Sequence, residues 1–307
     1  MTLPILLFFL GLLLLVKCGD VFVNSSIALA RRFHLSELFI GTTIVSIGTT
    51  LPEVTVSITA ALSGQAQLAY GNAIGSVICN TALIAGLSLA IRPLRIAKLS
   101  FVNIVVAFFL AAGFCVFISY SQGGFPRGAG LLLVLGFCLY TFVSIRSQKG
   151  SPPAAESGAT GSLLFHLVYL VLGAAGLYFG SQLMVDNAQI LALALGVSTK
   201  VIGLTIVALG TSLPELTTAV IALVKGHGQL SIGNILGANF FNLTLVLGGA
   251  ALVAPAPLPA SSNPLELTLM MAVMGILTIP PMLKGRTYSW QGILLLLLYI
   301  GYLIILF

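Results

Sequence analysis

Charge is what this sequence has least of. Of its 307 residues only 7% are Asp, Glu, Lys or Arg, while 58% are hydrophobic; a soluble domain carries about 25% charged residues. So little charge cannot cover a water-facing surface, and a soluble globular protein is excluded. Cysteine is also scarce. Cys18, Cys79, Cys115 and Cys138 lie in or beside apolar segments without metal-ligand spacing, so a disulfide framework is not expected and most read as small buried hydrophobes. No basic cluster is interleaved with exposed aromatics. The net charge of +6 is therefore the loop charge of a membrane protein, and nucleic acid is not an expected partner. The N-terminus lacks a basic n-region and an A-x-A site, so it reads as a first membrane span and not as a cleaved signal.

What is present is apolar length. With about 20 residues needed per crossing, spans are expected near 2–32, 38–62, 70–90, 99–121, 128–146, 162–195, 200–224, 232–253, 264–283 and 289–307. The first and sixth are too long to stand upright, and must tilt strongly or break near Asp20 and Asp186. One hydrophilic Gly/Ser/Pro-rich linker, 147–161, divides the chain into 1–146 and 162–307, five spans each. Arg31, Arg32, Arg92, Arg95, Lys98, Arg146, Lys149, Lys225, Lys284 and Arg286 fall on one side of this layout, Arg127 and Lys200 on the other. Basic loops stay in the cytoplasm, so the linker is expected inside and both termini outside.

The two halves repeat. Gly41-Thr-Thr-Ile-Val-Ser-Ile-Gly-Thr-Thr-Leu-Pro-Glu53 matches Gly203-Leu-Thr-Ile-Val-Ala-Leu-Gly-Thr-Ser-Leu-Pro-Glu215, and Gly71-Asn-Ala-Ile-Gly-Ser-Val-Ile-Cys-Asn80 matches Gly233-Asn-Ile-Leu-Gly-Ala-Asn-Phe-Phe-Asn242, both at an offset of 162 residues. An odd number of spans per half inverts the second half. The expected architecture is an all-α polytopic membrane protein of ten helices, in two inverted five-helix repeats, with motifs at 41–80 and 203–242. Inverted repeats hold the substrate of a secondary transporter near the midplane.

Of seven acidic residues, only Glu53 and Glu215 sit deep in apolar spans and are repeat mates. A charge at that depth costs roughly 2.5 kcal/mol or more and marks a functional site. Pro52 and Pro214 have no N–H, so the carbonyls of Gly48 and Gly210 should lose their helical donors and each span should break at the midplane. Thr50-x-x-Glu53 and Ser212-x-x-Glu215 also have capping-box spacing. A cap alone does not require its carboxylate to be buried in lipid twice. Asn80 and Asn242 add amide oxygens, and Thr49, Thr50, Thr211 and Ser212 add hydroxyls. Two carboxylates among neutral oxygens suit a hard cation and balance the charge of Ca²⁺; a Cys/His set for zinc or copper is not seen. The competing role for Asn80 and Asn242 is interhelical hydrogen bonding, and Gly71, Gly75, Gly233 and Gly237 read as packing faces. Asp20 and Asp186 align with Gln182 and Asn24, so neither carboxylate is kept in both halves. Lys17 could pair with Asp20, Glu37 and Glu266 read as interfacial, and His34, His166 and His227 as solvated.

These motifs resemble the two alpha repeats of the cation/calcium exchanger superfamily, in particular its small prokaryotic, YrbG-like sodium/calcium exchangers. The resemblance implies ten helices, a broken-helix core and exchange of several Na⁺ for one Ca²⁺ across the inner (plasma) membrane of a prokaryote. It also implies that Glu53 and Glu215 are shared between a Ca²⁺ site and flanking Na⁺ sites. Asn80 and Asn242 would line the centre, with oxygens from Thr49, Thr50, Thr211, Ser212 and the backbone of Ser46 and Ala208. Ser76 matches a family Na⁺ ligand, but its mate is Ala238, which puts one outer Na⁺ site in doubt. Asn242 stands where some relatives carry Asp, which argues against potassium coupling. The ions would be substrates, no cofactor is implied, and a monomer without a protein partner is compatible. A proton/cation exchanger using the same Glu pair is the alternative. An intramembrane hydrolase lacks an activated Ser, Cys or His beside the pair, and a passive channel rarely needs inverted repeats.

Overall fold

In lipid a helix satisfies its own backbone, and in the computed structural model helices fall on each of the ten expected spans. The structure describes residues 2–96, 98–147, 162–196, 208–257 and 264–306. The linker beyond Ser147, Lys200 and motif residues 203–207 lie outside them. The helices are α1 (Thr2–Arg32), α2 (Glu37–Thr49), α3 (Leu51–Leu62), α4 (Ala66–Ile91), α5 (Lys98–Gln122), α6 (Arg127–Ser147), α7 (Leu163–Ala194), α8 (Ala208–Thr211), α9 (Leu213–Val224), α10 (Gly228–Val253), α11 (Pro264–Lys284) and α12 (Ser289–Leu306). Among the described residues, seven are each long and apolar enough to cross a membrane, α2 and α3 form an eighth span bent by 46°, and α9 and α12 are shorter apolar helices.

Helices α1 and α7, of 31 and 32 residues, run unbroken through Asp20 and Asp186. At 1.5 Å per residue they are about 46–48 Å long, against a hydrocarbon core of about 30 Å. Tilt, and not a break, absorbs the excess.

The repeat seen in sequence recurs in three dimensions. A Cβ on Gly11 would lie 2.7 Å from the Met184 backbone N, and one on Gly173 would lie 2.8 Å from Phe22 Cβ. Gly11 and Gly173 are mates at the 162-residue offset, as are Phe22 and Met184, so α1 and α7 cross with the same close approach twice. The contact of α12 on α4 (Gly292 on the Gly86 carbonyl, 2.5 Å from an added Cβ) mates with that of α6 on α10 (Gly130 on the Gly248 carbonyl, 2.6 Å). Small residues at these points let backbones meet and gain dispersion contact that lipid tails would otherwise supply. The loops obey the same operation. Gly124 pairs with Pro257 in a two-residue antiparallel ribbon, and Arg95 bridges Arg286. The second pair maps onto the first by the same offset, and counting spans puts the two on opposite faces. Each face is thus stitched by one loop from each half.

Candidate functional site

The site is built on two interrupted helices. Helix α2 stops at Thr49, Thr50 adopts φ −85° and ψ 2°, and α3 begins with Pro52 in its first turn. Ser212 repeats this between α8 and α9 with φ −88° and ψ 5°, followed by Pro214. Proline is tolerated there because first-turn N–H groups have no helical acceptor. The freed carbonyls differ from expectation. Gly210 O accepts from Ser181 Oγ on α7 at 2.6 Å, so it is not left for a cation. The mate of Ser181 is Gly19, which has no hydroxyl to offer Gly48. The capping-box reading also fails. Neither Thr50 nor Ser212 makes a side-chain cap bond, and both Glu53 carboxylate oxygens are buried without a hydrogen-bond partner. Thr50 Oγ1 instead donates to Glu215 Oε1 at 3.1 Å, crossing from one half to the other.

Glu53 and Glu215 are both 0% exposed. Two further segments complete the surroundings. Helix α4 carries a π turn over Cys79–Ala85, which holds Asn80, and α10 carries one over Asn242–Val246. A third, Gly41–Val45, precedes the break in α2. Such turns insert an extra residue and concentrate at functional sites. The turn of Asn80 packs on α9, which carries Glu215, and the turn of Asn242 packs on α3, which carries Glu53. Both amides are buried with no partner for oxygen or nitrogen, as is Ser212 Oγ. Interhelical hydrogen bonding is therefore not what Asn80 and Asn242 do here. Six buried oxygens without a hydrogen-bond partner among the described residues result: two from Glu53, and one each from Glu215, Asn80, Asn242 and Ser212. Cys79 lies beside Ser212 and Tyr299 in the same wall.

Thr49, Thr50 and Thr211 are buried, and so is Ser76 with its mate Ala238. Ser46 is buried, with its carbonyl accepting from Thr50 N at 3.0 Å and its hydroxyl donating to Thr43 O. Ala208 opens the short helix α8. Of the four glycines expected to form packing faces, Gly233 and Gly237 do pack closely, against Leu38 and Gly41 and against Ser46 and Thr42. Gly71 and Gly75 have nothing within 4 Å of an added Cβ among the described residues, so no close helix approach requires a glycine there.

Sequence reasoning passed over Asn72 and Asn234. Asn72 Nδ2 donates to Ser57 Oγ at 2.9 Å and to the Glu53 carbonyl at 3.3 Å. Asn234 Oδ1 accepts from Thr49 Oγ1 at 3.1 Å, and its Nδ2 donates to Thr218 Oγ1 at 2.8 Å. The available signal was their place in both copies of Gly-Asn-x-x-Gly.

Several outlying polar residues are corrected. Asp20 pairs with Lys225, 2.5 Å away, and not with Lys17, and Asn24 bridges the two. His227 lies in the turn before α10, as expected, but is paired and not freely solvated: its Nδ1 lies 2.6 Å from Glu37 Oε1. His166 is buried on α7, and Asp186 is exposed on the same helix. Cys79 and Cys115 are buried, whereas Cys138 is exposed.

Comparison with known proteins shows the family and the fold. A family model described as sodium/calcium exchanger protein matches residues 3–146 and again 165–307. The uncharacterized membrane protein MJ0091 of Methanocaldococcus jannaschii is 37% identical, over 95% of this chain and 94% of that one. The inner membrane protein YrbG of Escherichia coli is 34% identical over 89% and 87%. The solved structure of the sodium-calcium exchanger NCX_Mj, soaked with 2.5 mM Na⁺ and 0.1 mM Ca²⁺, superposes with a TM-score of 0.86 at 34% identity, covering 98% of this chain and 97% of that one. The family model and the solved structure are those of exchangers and not of enzymes, and the chain belongs to the sodium/calcium exchanger family.

Proposed function

We propose that this cation antiporter exchanges several Na⁺ for one Ca²⁺ by alternating access, with Glu53 and Glu215 as its charged ligands. One observation carries the reading: six buried oxygens without partners, two carboxylates among them. A buried acceptor left unpaired costs about 1–3 kcal/mol, and more if charged. A cation repays that cost, and Ca²⁺ takes 6–8 oxygens and balances two carboxylates. Asn80, Asn242 and Ser212 supply neutral oxygens. Thr49, Thr50, Thr211, Ser76 and the backbone of Ser46 and Ala208 fill the flanking positions that Na⁺ would use. Both carboxylates are buried from solvent in this conformation. In this reading 1–146 and 162–307 are the two moving repeats, 147–161 is a cytoplasmic linker in a prokaryotic plasma membrane, and both termini face outside.

Proton coupling would need the carboxylates alone; the surrounding neutral oxygens favour Na⁺. The name and the soaking ions of NCX_Mj support the same choice. The test is ⁴⁵Ca²⁺ uptake into vesicles against an imposed Na⁺ gradient or an imposed pH gradient. Uptake driven by Na⁺ and indifferent to pH is expected. Uptake driven by pH alone would transfer the site to the proton/cation alternative.

A further inference from the structure

The hydrogen bonds of Asn234 have a fixed direction. Thr218 Oγ1 donates its single proton to a backbone carbonyl, Pro214 O at 2.8 Å or Glu215 O at 3.1 Å. Its oxygen can then only accept from Asn234, so the amide nitrogen must face Thr218 at 2.8 Å. That orientation turns Oδ1 towards Thr49, whose hydroxyl donates to it at 3.1 Å, a shorter contact than its alternative to the Ser46 carbonyl at 3.4 Å. A hydroxyl has one proton and two lone pairs. With the proton drawn to Asn234, the lone pairs of Thr49 are left for a cation. The carboxylate of Glu215 also lies close to Thr49 and would take that proton if Asn234 did not. It would then lose acceptor capacity that a cation needs.

We infer that Asn234 is a positioning residue: it binds no cation but fixes the polarity of the Thr49 hydroxyl, so that Thr49 presents oxygen to the transported ion. The chain runs from the Pro214 carbonyl through Thr218 and Asn234 on the second half to Thr49 on the first. It therefore ties the two interrupted helices to one another. Reversing the amide would place a donor against Thr49 and turn its proton into the site, where it would repel the ion. This inference rests on the proposed function in taking Thr49 as a ligand.

The experiment is ⁴⁵Ca²⁺ exchange in vesicles at varied Ca²⁺, with melting temperatures, for Thr49→Val, Asn234→Leu, Thr218→Val and the two double variants containing Thr49→Val. Loss of a group that orients a metal ligand typically weakens affinity about 10–100-fold. Asn234→Leu should raise the half-saturating Ca²⁺ by that factor, and Thr218→Val, which frees the amide to reverse, should shift it the same way. Neither should shift it further once Thr49 is Val. A merely structural role gives independent, multiplying losses in the double variants, which would overturn the inference. Should Asn234→Leu not fold, the Thr218→Val pair decides alone: an unchanged half-saturation there refutes the orienting chain. If Thr49→Val itself leaves half-saturation unchanged, Thr49 is not a ligand, and the reading of the site fails at that residue together with the inference.

Discussion

At the scale of single residues, depth and duplication made the centre of the site legible. Glu53 and Glu215 stood out because no other acids are both buried in apolar spans and repeated at one offset. The companion amides were harder. Asn72 and Asn234 sit in the same repeated motif as Asn80 and Asn242, but whether an amide faces an ion or a hydroxyl depends on what the other half brings to it. His166 and His227 were misjudged because their place near span ends does not reveal the partner or the packing they meet. Replacing either carboxylate by its amide tests the centre. Glu53→Gln and Glu215→Gln keep size but leave a divalent ion facing one charge. Breaking a buried ion pair costs about 3–5 kcal/mol, so Ca²⁺ exchange should fall at least ~100-fold in each. Abundance should be normal and the melting temperature no lower, since a buried charge without its counter-ion is itself costly. Near-normal flux in either variant would remove that residue from the site. Ser181→Ala asks the reverse question. It strips the donor from the Gly210 carbonyl and should cost about 1–3 kcal/mol of stability. The loss should appear in the melting temperature, with Ca²⁺ half-saturation unchanged.

At the scale of elements, each of the ten apolar runs holds helix among its described residues, because lipid leaves a spanning chain no other way to pair its backbone. The breaks at Thr50 and Ser212 were announced by proline and glycine. The π turns were not legible: one extra residue in a turn leaves an apolar run looking apolar, and the turns became visible only through their hydrogen-bond pattern. The starts of α4 and α10 also came earlier than expected, at Ala66 and Gly228, where polar residues had hidden the helix. Close helix crossings give a direct test of the repeat. Gly130→Ala and Gly292→Ala push a methyl group into backbone atoms at mated positions, where crowding costs about 1–3 kcal/mol. Both should lower the melting temperature, and by similar amounts. Gly136, also on α6, has no neighbour within 4 Å of an added Cβ among the described residues. Gly136→Ala should be neutral or stabilising by up to about 1 kcal/mol. A large difference between the two mated variants would mean that the halves do not share one packing rule.

At the scale of the whole molecule, charge distribution and symmetry carry the reading. In a background without native cysteines, Gln65→Cys should react with an impermeant thiol reagent from outside and Arg286→Cys only from inside. Labelling of both from one face would defeat the inverted layout. If three Na⁺ balance one Ca²⁺, one charge crosses per cycle, worth about 2.3 kcal/mol per 100 mV. An inside-negative potential should then speed Ca²⁺ extrusion, measured as ⁴⁵Ca²⁺ efflux under a K⁺ diffusion potential. Indifference to voltage would indicate an electroneutral ratio.

The ion pair of Asp20 with Lys225 breaks this symmetry. Under the 162-residue operation its counterparts are Gln182 and Ser63, which cannot form a salt bridge. In a carrier whose halves trade places between its two open forms, a bond found on one side weights the two forms unequally. The pair is about one-third to one-half exposed, so its worth is that of a surface bridge, roughly 0.2–1 kcal/mol. That is a bias of about 1.4- to 5-fold in the resting populations. The form in which the bridge closes should be the one at rest, and the gate facing the other way should carry a matching penalty in apparent affinity. Asp20→Asn should bring the half-saturating Ca²⁺ measured from the two faces of the membrane closer together by up to about that factor, at unchanged maximal exchange. A carrier with this bridge is a balance with a small weight left on one pan.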